Sequence, residues 1–259
     1  MKEERDFYLI GGTMQSGSTL LYNIVYTIAS IEDPAVMGTT TGHVSPEFIA
    51  LPLGRQKSQL PIKNIFKTHE LDIVSHMLMG HPNIKVFIPR RDLRDAVASW
   101  MRRIYNKHNG EPFVNPWFAA SIDDCAYRNK MIKGYIQNWL RLYDSWKDKG
   151  DYEFIYETWK QENIEEKLSI IHNIAMVMET CLDLKDCHDI YHHVEIIMPS
   201  IGMSIDTPPS QHAGDQLLTR NHMTNNGAVG GYKNILSDAE ICLVEDMAGD
   251  WLREKGYMT

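Results

Sequence analysis

No run of apolar residues in this 259-residue chain approaches the roughly 20 that a membrane-spanning helix needs. The opening residues, MKEERDFYLI, carry no apolar stretch of the kind found in a secretory leader. These two absences predict a cytoplasmic protein without a membrane partner. An excess of positive charge is missing too. Lys and Arg number 26 against 34 Asp and Glu, a formal net charge of −8, which argues against a nucleic-acid partner because such binding needs a basic face. Any anionic ligand must then be held by a local constellation rather than by the overall field. Cysteine is scarce: Cys125, Cys181, Cys187 and Cys242 are scattered without a C-x-x-C pair, which predicts reduced thiols rather than a disulfide framework.

The chain does have enough apolar residues, 43%, and enough length to bury a substantial core, and we read it as one α/β domain spanning 1–259. Four short β-like runs stand out: Phe7–Ile10, Asn64–Lys67, Lys85–Ile88 and Tyr152–Tyr156. Helical stretches lie between or after them, the pattern of a central parallel sheet with helices on both faces. Leu20, Leu21, Ile24, Val25 and Ile28 recur at helical spacing after the first run. Asp92 stands where an N-cap belongs, before a helix running to about Lys107 and closed by Asn109-Gly110. A long helix is expected over roughly 122–148, with Ile132, Ile136, Trp139, Leu140, Tyr143 and Trp146 inward and Gly150 ending it. Another is expected from about Gln161 to Leu182. The last opens on the capping-box pattern Ser237-x-x-Glu240 and ends at Gly256. Segments 37–61 and 199–219, rich in Gly, Pro, Ser and Thr, read as long binding loops.

The chemistry starts in the stretch LIGGTMQSGSTLLYNIV, residues 9–25. A strand runs into Gly12-x-x-x-x-Gly17, the spacing of a nucleotide-phosphate loop, but Ser18 stands where a nucleoside triphosphatase carries lysine. Consecutive backbone N–H groups at Ser16, Gly17, Ser18 and Thr19, with a helix N-terminus behind them, form an anion site that needs no lysine. A γ-phosphate with Mg²⁺ would also want a carboxylate at a neighbouring strand end, where this chain has Pro89-Arg90-Arg91.

Two further patterns accompany the loop. In RRDLRDAVAS, Arg91 lies at a strand end and Ser99 about two helical turns on, a guanidinium and a hydroxyl suited to a second phosphate group distant from the first. In FKTHE, Lys67 and His69 alternate to the same side at the C-terminal edge of the second strand, where ligands of doubly wound sheets sit. A histidine there can take a proton from an attacking hydroxyl, and a lysine can neutralise a leaving group.

In this order the three patterns resemble the sulfotransferases that use 3′-phosphoadenosine 5′-phosphosulfate (PAPS). FIYETWK, residues 154–160, is similar to that family's Tyr-Glu-Asp segment, which places Tyr156 near the adenosine. NNGAVGGYKNILSDAE, residues 225–240, is similar to its C-terminal Arg-Lys-Gly-x-x-Gly motif, adding Asn225, Asn226 and Gly227 to the nucleotide site. The resemblance runs from residue 7 to 257. It implies a P-loop-like fold, PAPS as co-substrate, no metal, and a small-molecule acceptor bearing a hydroxyl or amine. It implies His69 as general base and Lys67 on the leaving phosphate oxygen. Gln15, Ser16, Gly17, Ser18 and Thr19 would take the 5′ end, and Arg91 and Ser99 the 3′-phosphate.

The departures are specific. Gln15 occupies a position where the family usually has Lys or Arg beside the bridging oxygen, and losing that cation would cost roughly 2–4 kcal/mol of transition-state stabilisation if nothing replaced it. Lys67 is the natural substitute. Asn225-Asn226 replaces Arg-Lys, and Tyr232 stands for Trp. Two other readings stay open: a nucleotide-binding protein on the same scaffold without transfer activity, and a small-molecule P-loop kinase. Cys187, His188, Asp189, His192 and His193 have metal-ligand chemistry, but they fall on an outer helix away from the inferred site, and no metal is expected.

Overall fold

The computed structural model describes residues 6–40, 63–108, 124–161, 163–197 and 227–259. Five strands form one parallel sheet: β1 (Asp6–Ile10), β2 (Met37–Thr40), β3 (Lys63–Lys67), β4 (Ile84–Arg90) and β5 (Tyr152–Ile155). Their order is β2-β3-β1-β4-β5. The fold is therefore α/β with a central parallel sheet, as expected. The chain leaves β1 toward β2 and β3 and returns to β4 on the other side, so the crevice between the carboxyl ends of β1 and β4 is a topological switch point.

Helices cover both faces: α1 (Ser18–Glu32), α2 (Ile73–Met79), α3 (Leu93–His108), α4 (Cys125–Trp146), α5 (Tyr156–Gln161), α6 (Ile164–Val177), α7 (Leu184–His192) and α8 (Asp238–Glu254). Alternation along β1 decides which face each residue serves. Tyr8 and Ile10 pack with Leu21, Ile24, Val25 and Ile28 of α1, whereas Phe7 and Leu9 pack with Phe66, Val74, Leu78 and Trp146 on the opposite face. A third cluster joins α3, α4 and α8, with Trp139 edge-on to Trp251 at a ring separation of 4.8 Å. Among the described residues no helix is long and apolar enough to cross a membrane.

Several boundaries differ from the sequence expectation. Residues 37–40 are an edge strand rather than loop. Gly38 conceals this, since it lies so close to the Tyr22 hydroxyl that a Cβ there would collide with it. The helix expected over 161–182 is shorter, α6 at Ile164–Val177, capped by Asn163 accepting the Glu166 N–H at 3.0 Å, and a separate short helix, α5, opens at Tyr156 directly after β5. At the end of α4 the left-handed residue is Asp148 (φ 65°), not Gly150. Gly150 instead packs on Ile88, whose Cδ1 would lie 2.8 Å from an added Cβ. Leu142 is fully buried on α4, while Leu140 is only partly covered. The capping box at Ser237 and Glu240 is formed in both directions. Of the two expected binding loops, 41–61 and the whole of 199–219 lie outside the described residues.

Candidate active site

The loop between β1 and α1 is anchored from three sides. The Met14 carbonyl accepts hydrogen bonds from Tyr135 Oη (3.0 Å) and Trp139 Nε1 (3.1 Å) of α4. The Gly11 N–H donates to the Phe87 carbonyl at 3.0 Å, and Ser16 Oγ folds back on the Thr13 carbonyl at 2.6 Å. Ser16 and Ser18 are buried, and Gly17 (φ 91°) caps α1 in the left-handed region with the Tyr156 ring against it. A Cβ at Gly17 would come within 2.5 Å of that ring, so the position takes only glycine. Gln15 adopts φ 61° without being glycine, a strained conformation of the kind that clusters at ligand sites. The loop also has its neighbours' side chains over it. Lys67 Nζ donates to Thr19 Oγ1 at 2.7 Å, and His69 Nδ1 donates to the Gly12 carbonyl at 3.0 Å. A carbonyl only accepts, so this contact fixes the histidine tautomer with its lone pair on Nε2. Trp146 Nε1 holds the His69 carbonyl at 3.1 Å.

Arg91 reaches this loop from the end of β4. Its guanidinium lies 4.3 Å over the Tyr156 ring, and Nη1 approaches the Gln15 carbonyl at 3.5 Å. The residue is only 4% exposed, and its Nε and Nη2 have no hydrogen-bond partner among the described residues. Leaving buried donors of a charged group unpaired is expensive, of order 1–3 kcal/mol each or more. An anion entering the crevice could satisfy both donors. Ser99 Oγ donates to Gln15 Oε1 at 3.1 Å, tying α3 to the loop. Tyr156 Oη donates to the Gly227 carbonyl at 3.1 Å, which brings the C-terminal segment to the same place. Burial, above the nearby carboxylates and against the opposing pull of Arg91, pushes the Tyr156 hydroxyl above its ordinary pKa. It therefore acts as a neutral donor.

Gln15, Ser16, Gly17, Ser18, Thr19, Lys67, His69, Arg91, Ser99, Tyr156 and Gly227 are thus drawn together around one crevice. Asn225 and Asn226 lie outside the described residues. Sequence reasoning missed two neighbours. Asp95 receives the backbone N–H groups of Gly230 (2.7 Å) and Tyr232 (2.9 Å), fastening the C-terminal segment to α3. Arg102 lies one turn beyond Ser99 on the same helix face; the spacing 91, 95, 99, 102 was its one available signal. Among the described residues no three His, Cys, Asp or Glu are placed to hold a metal, Cys187, His188, Asp189, His192 and His193 included.

No protein-family profile matches the sequence, and no curated protein sequence matches it. Solved structures do match. Mouse sulfotransferase SULT7A1 in complex with PAP shares the fold with a TM-score of 0.64 at 15% identity, over 97% of this chain and 84% of the other. Retinol dehydratase in complex with retinol and PAP gives a TM-score of 0.55 at 14% identity, over 96% and 82%. The same enzyme with androsterone and PAP gives 0.56 at 12% identity, over 95% and 80%. The fold is therefore one that sulfotransferases with bound PAP adopt.

Proposed function

We propose that this chain, as a single domain, transfers a sulfuryl group from PAPS to the hydroxyl or amine of a small-molecule acceptor. The observation that carries the reading is Arg91, a buried guanidinium with two unpaired donors at the switch-point crevice, within reach of a glycine-framed anion loop. Two anion sites separated along one crevice suit a nucleotide with phosphate groups on both its 3′ and 5′ carbons. PAP, adenosine 3′,5′-bisphosphate, has that pattern and is bound in the fold neighbours.

On this reading the amides of Ser16, Gly17, Ser18 and Thr19 take the 5′ end. Arg91, Ser99 and the segment from Asn225 to Gly227 take the 3′-phosphate, and Tyr156 lies by the adenosine. PAPS supplies the sulfuryl group. The acceptor oxygen or nitrogen attacks sulfur, His69 Nε2 takes its proton, and the bond from sulfur to the phosphate oxygen breaks. Lys67, already fixed over the loop at Thr19, neutralises the charge that develops on that oxygen. Gln15 contributes a neutral amide beside it, its orientation set by Ser99. The fold neighbours carry retinol and androsterone, and a small organic acceptor is our reading here as well. Cytoplasmic residence is supported by the four free cysteines.

Thermal melting with PAP, ADP, or ATP plus Mg²⁺ tests the proposal. A ligand at about 100 times its dissociation constant adds roughly 2.7 kcal/mol of stability. Stabilisation by PAP alone supports it; a response confined to ATP with Mg²⁺ points to a kinase and overturns it. PAP binding without turnover on any acceptor would leave a nucleotide-binding protein, with uncharged Gln15 as the first cause to examine.

A further inference from the structure

Arg91 precedes α3 at the end of β4, and within the helix Asp95, Ser99 and Arg102 follow one another at steps of four and three, so these three share one face. The structure fixes where that face looks. Ser99 is bonded to Gln15 of the loop, and Asp95 is bonded to the Gly230 and Tyr232 amides. Arg102 is next along this face, and helical side chains lean back toward the N-terminus, here toward Ser99 and Asp95.

We infer that Arg102 is a second guanidinium of the Arg91 pocket, directed at the same 3′-phosphate, and that it supplies from α3 the charge that Asn225 and Asn226 do not carry. The inference rests on the reading of that pocket as a 3′-phosphate site. The electrostatics agree with it. Burial first, and then repulsion from Arg91, hold the Arg102 guanidinium below its usual pKa, while Asp95 and Tyr156 pull the other way. The geometry agrees: Arg91 and Ser99 both bond Gln15, and Arg102 lies one turn beyond Ser99 on its face. No hydrogen bond or ion pair links it to another described residue, and Asp95, whose charge acts on both arginines, is already engaged by backbone amides. Two guanidinium groups brought together this way repel each other until an anion lies between them. A phosphate dianion can accept from both.

The test compares dissociation constants for PAP and for AMP, which lacks the 3′-phosphate, in the full chain and in Arg102→Gln and Arg102→Lys. Arg102→Gln is expected to weaken PAP about tenfold or more while leaving AMP unchanged, the loss of a charge-assisted contact to one phosphate. Arg102→Lys, which keeps the charge without the fork, should lose a smaller but measurable part of the preference. Equal losses on PAP and AMP, or no loss on either, would overturn the inference. Should Arg102→Gln fail to fold, Arg102→Lys decides, and a preference identical to that of the wild type overturns it. A wild-type chain that binds AMP as tightly as PAP would instead sink the two-phosphate reading itself. A wild-type preference retained in both variants would sink Arg102 alone.

Discussion

At the scale of single residues, the largest cost in the crevice falls on one side chain. Arg91 is buried with two unpaired donors, and its contact with the Tyr156 ring offsets only part of that cost. Replacing a buried charge with a well-packed apolar side chain of similar length is often neutral or stabilising, and here it offsets the loss of Arg91's attraction to Asp95 and Glu157. Arg91→Met should therefore leave the apo protein as stable as wild type, or up to about 2 kcal/mol more stable, while abolishing PAP binding. Urea unfolding and calorimetric titration read the two effects separately. A variant that loses several kcal/mol of stability would make Arg91 a structural residue and remove the main support for the site. His69 makes the opposite case. Its Nδ1 contact with the Gly12 carbonyl orients the ring, and the proposed chemistry lies on Nε2. His69→Ala should lower the transfer rate by two or more orders of magnitude and change the PAP dissociation constant little. A collapse of PAP affinity in that variant would mean that the ring shapes the loop rather than moving a proton.

The element that connects these residues is α3, which runs from the end of β4 past the loop and holds the C-terminal segment through Asp95. That carboxylate accepts one N–H on each oxygen, Gly230 on Oδ2 and Tyr232 on Oδ1. An asparagine can offer only one acceptor there, and its amide would face the other N–H. Asp95→Asn should cost about 1–3 kcal/mol locally. It should speed hydrogen exchange at Gly230 and Tyr232, and weaken PAP by loosening the segment that begins at Gly227. Unchanged exchange at both amides would show that the segment is held by other contacts. Elements governed by local signals were legible in the sequence. The capping box of α8, the Asp92 start of α3 and the glycine-framed loop each depend on residues within a few positions of one another. What was not legible depends on contacts distant in sequence. The edge strand β2 is hidden by Gly38, which makes room for Tyr22, and the Ser99–Gln15 bond joins residues that only the fold brings together. Arg102 escaped notice for the same reason. A helical arginine has no motif of its own until Ser99 shows which face meets the loop.

Across the whole molecule, the start of α3, the start of α5 and Tyr257 near the C-terminus meet at Glu157. Its Oε1 accepts the Asp92 N–H at 2.8 Å and its Oε2 the Tyr257 hydroxyl at 3.0 Å, while Arg94 holds the Tyr257 carbonyl at 2.6 Å. Burial pushes the Glu157 carboxyl up, against the Asp92 and Tyr257 bonds and Arg91 that pull it down. A carboxyl raised in the folded state binds its proton more tightly there than in the unfolded chain. Between the ordinary glutamate range and the raised value, the folded protein therefore holds more protons, and stability increases as pH falls through that window. Above the window both states are ionised, and the full cost of the buried charge is present at neutral pH. Glu240 runs the other way. Burial raises its carboxyl, but the hydrogen bonds from Arg128 and Ser237 together outweigh that, so it contributes stability above the ordinary range that is lost as pH falls through its lowered value. The two groups act in adjacent pH windows on either side of the ordinary carboxylate range, and other carboxylates titrate there too, so the informative quantity is a difference between variants. Glu157→Gln removes the titration and keeps an acceptor for the Asp92 N–H. Urea unfolding at intervals from neutral pH down to about 4 should show the wild type gaining on Glu157→Gln as pH falls through the window. A constant difference across that range would mean that Glu157 titrates as an ordinary carboxylate, and that the junction of Asp92, Glu157 and Tyr257 is more open to water than its geometry indicates.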